Sequence, residues 1–168
     1  AVQAVATSLA TEAHARSVGI TLIELPARID LTIDGADEID GALRAIKGAG
    51  GAMLREKVVA AASARMLVIA DGSKRVAAIG AAKIPVETLP FARNFVAARL
   101  ENLGAQVALR ENFLTDQGNS ILDCSFAPDI DHRRLAAEIA AIPGALGHGL
   151  FLTEVSAAYI ATDGVVTR

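Results

Sequence analysis

Ile33-Asp34-Gly35-Ala36-Asp37-Glu38-Ile39-Asp40, followed by Lys47-Gly48-Ala49-Gly50-Gly51 and Leu54-Arg55-Glu56-Lys57, is the stretch that decides how this chain folds. A short apolar strand, Leu31 to Asp34, runs into the acids. The glycines then open a helix predicted from about Met53 to Ala64. Strand, acidic turn, glycine turn and helix in this order are the parts of an α/β site, because open α/β sheets bind ligands beyond the carboxyl ends of their strands. No other part of the chain concentrates polar chemistry in this way.

Working outward, Val2 to Thr7 and Ile20 to Leu25 read as strands that flank a helix starting at Ser8 or Thr11 and ending at Val18, with Gly19 as its stop. Met66 to Ala70 is a further apolar strand, followed by Asp71-Gly72-Ser73-Lys74. Strands that are apolar on both faces and alternate with helices predict a parallel sheet covered on two sides. After about Ile79 the pattern changes to β-α-β-β-α-β. It comprises Ile84–Thr88, a helix over Pro90–Asn102, Ala105–Arg110, the Thr115–Asn119 turn, Ser120–Phe126, a helix capped by Asp131, and Ala145–Leu152. That order is the split βαβ, or ferredoxin-like, arrangement. Tyr159–Ala161 and Val165–Thr167 close the chain as a hairpin too small to stand alone, so it is expected to return to the first unit. The predicted fold is therefore α/β. A Rossmann-like parallel sheet with helices on both faces is formed by residues 1–80 and 153–168, and residues 81–152 are an inserted ferredoxin-like subdomain.

Composition narrows the function. Of the 168 residues, 52% are hydrophobic and 21% charged, which fits a folded domain and excludes a disordered one. Aromatics make up only 4%, with no tryptophan, and the net charge is −3, so neither a base-stacking platform nor a general attraction to nucleic acid or anionic lipid is expected. The single cysteine, Cys124, lies in an apolar run and reads as a small buried hydrophobe. His14, His132 and His148 show no metal-ligand spacing, so no metal is expected. Without an apolar run of about 18 residues or a charged-then-apolar leader, the reading is a cytoplasmic protein.

On the residues alone, each part of the opening stretch has two readings. Asp34 and Asp37 are either a solvated acidic turn or a pair that holds hydroxyls and moves protons. The spacing is not that of a calcium loop. The glycines after Lys47 can cradle an anion on their N–H groups, but they form neither a nucleoside-triphosphate loop nor a dinucleotide fingerprint. Glu56 lies roughly 200° around the helix from Leu54, off the apolar stripe, and alone reads as a solvated charge. Beside a lysine and a glycine turn it can instead be a base that takes a proton from the carbon next to a sugar carbonyl. The helix N-terminus and the lysines are expected to favour its ionised form. Lys74, after the next strand, is either a turn lysine or a group that reaches a substrate anion.

Taken together, Asp34–Ile39, Ile46–Ala52, Arg55–Lys57, Ile69–Lys74, Thr115–Asp123, Ala141–Gly144 and Thr162–Val165 resemble ribose-5-phosphate isomerase, type A, in order and over essentially the whole chain. The resemblance implies an aldose–ketose isomerase that interconverts D-ribose 5-phosphate and D-ribulose 5-phosphate through a cis-enediolate, without metal or organic cofactor. It implies Glu56 as the residue moving the proton, Asp34 assisting ring opening and hydroxyl proton transfer, and Asp37 holding hydroxyls. Lys47 with the Gly48–Gly51 amides would support the oxyanion, Gly35, Ala36, Gly48, Ala49 and Gly50 would line the substrate, and Lys74 would help bind it. It also implies a homodimer or homotetramer.

Two departures stand out. Ala49 occupies a place where the family has glycine, which strains the turn only if φ is positive there. The family also opens with a strand, a Gly-Thr-Gly-Ser-Thr phosphate loop and a helix, whereas this sequence starts at the following strand, so a longer protein is expected. Competing readings are a non-catalytic sugar-phosphate-binding protein of the same fold, or a sugar-phosphate deaminase or CoA transferase. Retention of Asp34, Asp37, Lys47 and Glu56 together speaks against a sensor, which needs no base.

Overall fold

A computed structural model describes residues 2–127 and 129–168. The chain is α/β. Strands β3 (Thr32–Asp34), β6 (Met66–Asp71) and β12 (Val155–Thr162) run parallel, and β13 (Val165–Thr167) closes the sheet antiparallel, in the order β13-β12-β6-β3. The terminal hairpin thus returns to the first sheet, as its small size predicts. Val68 of β6 is fully buried and packs with Met66, Ile160, Ala60 and Phe151 in one apolar cluster. Full burial of a side chain of this size contributes about 1.5–3 kcal/mol.

Helix α1 (Leu9–Ser17) starts where Ser8, in extended backbone, accepts a hydrogen bond from the Thr11 amide at 3.1 Å. It ends at Val18, beyond which Gly19 takes φ +77°, a conformation that costs glycine nothing. The flanking segments are shorter as strands than their apolar runs suggest. Only β1 (Gln3–Ala4) and β2 (Thr21–Leu22) pair, parallel, as a two-stranded sheet separate from the main one. Val2, Ile20, Ile23 and Leu25 are exposed, so apolarity alone does not extend the ladder there.

A further small sheet forms because the strand predicted over Ala145–Leu152 splits at Gly149, its second part leaving for two short strands that the sequence does not announce. Strands β4 (Glu38–Ile39), β5 (Ala45–Ile46) and β11 (Leu150–Phe151) form an antiparallel trio in the order β11-β5-β4. Two-residue strands are too short to show a period. Their turn is built by Asp40, whose carboxylate accepts from the amides of Ala42 and Arg44, each at 3.0 Å, and from Arg44 Nε at 2.8 Å. Glu38, also buried, accepts from the amides of Gly80 and Ala82 at 2.7 Å each. The acidic run therefore divides by task, with Glu38 and Asp40 serving the fold.

The ferredoxin-like part contains β7 (Ile84–Thr88), α3 (Arg93–Asn102), β8 (Gln106–Leu109), β9 (Ser120–Ser125), α4 (His132–Ala140) and β10 (Ala145–His148). Its sheet is antiparallel throughout, in the order β10-β7-β9-β8. Val96, Leu100, Leu135 and Ile139 of the two helices pack on Val86, Leu122 and Cys124 of the sheet. Burial pushes the Cys124 thiol up to about 12, so it acts as a hydrophobe. The Thr115–Asn119 turn is tied to a buried carboxylate, because Thr115 Oγ1 and Asn119 Nδ2 both donate to Glu87 Oε1 at 2.8 Å. No helix among the described residues is long and apolar enough to cross a membrane.

Candidate active site

Three local structures deliver the polar groups to one place. Asp34 ends β3 at its carboxyl edge, and its Oδ1 accepts from the Gly35 amide at 2.8 Å. Lys47 leaves β5, pinned by its amide to the Gly149 carbonyl at 2.9 Å. Glu56 stands in the first turn of α2 (Met53–Ala62), which follows the glycine turn. The cleft between them, about 210 Å³, is lined by Asp34–Asp37, Lys47–Gly50 and Glu56. A larger groove of about 710 Å³ lies elsewhere, between β2 and the far side of α2, with Leu22, Ile23, Leu54 and Val58 in its walls.

Lys47 is the hub. Its side chain is 4% exposed, and Nζ stands 3.0 Å from Asp34 Oδ2 and 3.2 Å from Glu56 Oε2 while donating to the Gly35 carbonyl at 2.5 Å. Nζ also lies 5.5 Å from the ring centroid of the fully buried Phe151. Glu56 Oε2 is buried, and the Lys47 ammonium 3.2 Å away is the cation that faces it. Glu56 is 14% exposed, and so is not the solvated helix charge that its angular position alone suggests. Its pKa also runs against the sequence expectation. Burial raises it above the usual carboxylate value, Lys47 pulls it back, and the charges of Asp34 and Asp37 add to the rise. Desolvation outweighs the lysine.

Asp37 accepts from the Ala49 amide at 2.9 Å through Oδ2. Ala49 is not among the residues with positive φ, so alanine fits this turn without strain, whereas Gly48 and Gly51 take φ +112° and +83°. A Cβ on Gly51 would collide with the ring of Phe113, so that glycine also permits a close approach. Lys74 is placed apart. It sits in the turn after β6, where Asp71 caps the Ser73 amide, and it does not line the cleft.

The family model for ribose 5-phosphate isomerase A (phosphoriboisomerase A) matches residues 3–164. The chain belongs to this family. Ribose-5-phosphate isomerase A of Sphingopyxis alaskensis is 52% identical over 171 residues, spanning 98% of this chain and 75% of that protein. The same-named protein of Roseiflexus sp. is 51% identical over 174 residues with the same two coverages. The crystal structure of ribose 5-phosphate isomerase A from Neisseria gonorrhoeae aligns with a TM-score of 0.95 at 34% identity, over 98% of this chain and 75% of that one. A D-ribose-5-phosphate isomerase solved with phospho-erythronic acid aligns at 0.94 and 29% identity, over 98% and 76%.

In this member of the ribose 5-phosphate isomerase A family, several polar groups around the cleft carry little signal along the chain. Lys57 Nζ lies 3.9 Å from the centroid of Phe151, donates to the Leu150 carbonyl, and pairs with Glu154 at 3.1 Å. Burial lowers the Lys57 pKa against the pull of Glu154. His148, buried nearby, is pushed down to about 4 by desolvation and by Lys57. Arg110 reaches the glycine turn from the ferredoxin-like sheet. The one usable signal is Lys57, adjacent to Glu56 and on a helix face shared with no other charge. Arg110, Phe151 and Glu154 lie too far along the chain for spacing to connect them.

Proposed function

We propose that this chain isomerises D-ribose 5-phosphate and D-ribulose 5-phosphate through a cis-enediolate, with Glu56 as the base and then the acid. The observation that carries the reading is the buried Lys47 ammonium held between the Asp34 and Glu56 carboxylates.

The chemistry follows from the charges. Glu56 takes the proton from carbon 2 of the open-chain aldose, and the electron pair forms the carbon 1–carbon 2 double bond. Negative charge moves onto the carbonyl oxygen, where Lys47 and the N–H groups of the glycine turn stabilise it. The hydroxyl proton passes from oxygen 2 to oxygen 1 by way of Asp34, which also assists ring opening. Glu56 then returns its proton to carbon 1, leaving a ketone at carbon 2. A carboxylate whose pKa is raised by burial is a stronger base for this step than an exposed one. Asp37, with one oxygen committed to Ala49, uses the other for substrate hydroxyls. Gly35, Ala36, Gly48, Ala49 and Gly50 shape the cleft. Lys74 lies outside it, in the turn after β6 beside β3, and would help bind only a part of the substrate that extends from the cleft.

Residues 81–152 are proposed as an inserted unit, supported by an apolar cluster drawn mainly from that span. A cytoplasmic homodimer or homotetramer is the proposed setting, and the fully exposed Phe91 and half-exposed Phe95 are apolar surface that an interface would cover. Sedimentation velocity tests the assembly.

The deciding experiment is turnover of ribose 5-phosphate by the parent protein and by Glu56→Gln. The substitution keeps the shape and removes the base, so turnover is lost while ribose 5-phosphate still binds. Near-parental turnover by the variant overturns the assignment, and retained binding without turnover in the parent favours a non-catalytic sugar-phosphate-binding protein.

A further inference from the structure

Arg110 follows β8, on the ferredoxin-like sheet, and yet its guanidinium ends at the glycine turn of the other sheet's site. Nε and Nη2 form a two-point pair with Asp123 of β9, at 2.9 and 2.6 Å. The remaining arm, Nη1, donates to two successive carbonyls, Gly48 at 3.2 Å and Ala49 at 3.0 Å. The guanidinium lies 5.3 Å from the centroid of Phe113, the ring that packs where a Cβ on Gly51 would go. The Arg110 and Asp123 side chains are only 18% and 16% exposed.

A trans peptide group points its N–H opposite to its C=O, so a carbonyl held on one side aims the next amide to the other. The Gly48 carbonyl faces Arg110, and the Ala49 N–H of the same peptide group donates to Asp37 in the cleft. The Ala49 carbonyl also faces Arg110, which directs the Gly50 N–H away from it. Gly50 lines the cleft, and its N–H has no protein partner among the described residues. A charged donor on both carbonyls also polarises the two peptide groups, making their N–H groups better donors to an anion.

We propose that Arg110, set by Asp123, is a positioning residue for the isomerisation: it holds and polarises the 48–50 peptide groups so that the Gly50 N–H meets the developing oxyanion while the Ala49 N–H holds Asp37. This rests on the isomerase reading above. An oxyanion donor acts mainly in the transition state, so its loss falls on kcat rather than KM.

The test is steady-state kinetics of Arg110→Met and Arg110→Lys, with ¹⁵N–¹H spectra of each protein. Arg110→Met is expected to lower kcat by about 10- to 100-fold, somewhat less than outright removal of an oxyanion donor. KM should stay within about threefold, and the Ala49 and Gly50 amide peaks should move. Arg110→Lys keeps the charge but cannot span Asp123 and two carbonyls, so it should show the same split more weakly. If Arg110→Met does not fold, Arg110→Lys decides. Parental kcat with unmoved amide peaks in a folded variant overturns the inference, as does a loss confined to KM. Absence of turnover in the parent overturns the isomerase reading, and the role of Arg110 in it, whatever the spectra show.

Discussion

Lys47 Nζ lies 3.2 Å from Glu56 Oε2, close enough to act on the carboxylate both as a charge and as a hydrogen-bond donor. The lysine therefore lowers the basicity that burial confers on Glu56. Burial, Asp34 and Asp37 drive the glutamate pKa up, and Lys47 is what opposes them.

Removing that opposition has two readable consequences. Lys47→Met should lower kcat by about 100- to 1,000-fold, the cost of losing a main oxyanion donor. Glu56 then loses the cation that opposes the rise in its pKa, so the acid limb of the kcat–pH profile should move to higher pH. A limb that stays where it is in the parent would show that Lys47 does not set the base.

Glu56 also links activity to stability. Its folded-state pKa is raised, so between the unfolded and folded values the native state binds more protons, and stability falls as pH rises through the folded value. Glu56→Gln should therefore raise the melting temperature at neutral pH and change it little at a pH below both values. Thermal unfolding at the two pH values checks this, and an equal gain at both would assign the effect to packing.

His148 has the opposite sign. It takes its proton only near pH 4 when folded, against 6.5 when free, so stability present above pH 6.5 is lost as pH falls toward 4. The full effect is about 3 kcal/mol. His148→Asn keeps an acceptor for the Leu150 amide, which His148 Nδ1 meets at 3.3 Å, and should flatten this part of the stability–pH curve in urea denaturation.

The glycine turn gives a paired test. Gly51→Ala places an L side chain at φ +83° and displaces Phe113, costing about 1–2 kcal/mol for the backbone alone. Ala49→Gly relieves no strain and loosens the unfolded chain, so it should cost less than about 1 kcal/mol. Chemical denaturation of the two variants should show this order, and the reverse order would place the turn's strain at Ala49.

Beneath the site, Lys57→Met leaves Glu154 without its partner and removes the ammonium from the Phe151 ring, a loss of about 3 kcal/mol. Adding Glu154→Gln should recover part of it. A double-mutant cycle with no coupling would mean that Lys57 acts through packing alone.

Much of this protein is legible along the chain. The apolar runs Met66–Ala70 and Ile84–Thr88, the caps Ser8, Gly19 and Asp131, and the β-α-β-β-α-β order are local signals, and the structure follows each. Such signals work because period, capping and turn chemistry act over a few residues. Asp34, Lys47 and Glu56 are near enough in sequence for their types and order to suggest shared work, and the family motifs sharpen the suggestion. Tertiary structure alone decided the rest. It divided the acidic run, burying the Glu38 and Asp40 carboxylates against turn amides while Asp34 and Asp37 face the cleft. It raised the Glu56 pKa where helix position and lysines pointed to an easier ionisation, because desolvation depends on what covers a carboxylate and not on its neighbours in sequence. And it carried Arg110 across 61 residues to the Ala49 carbonyl, a contact made by folding two sheets against each other, which no spacing along the chain encodes.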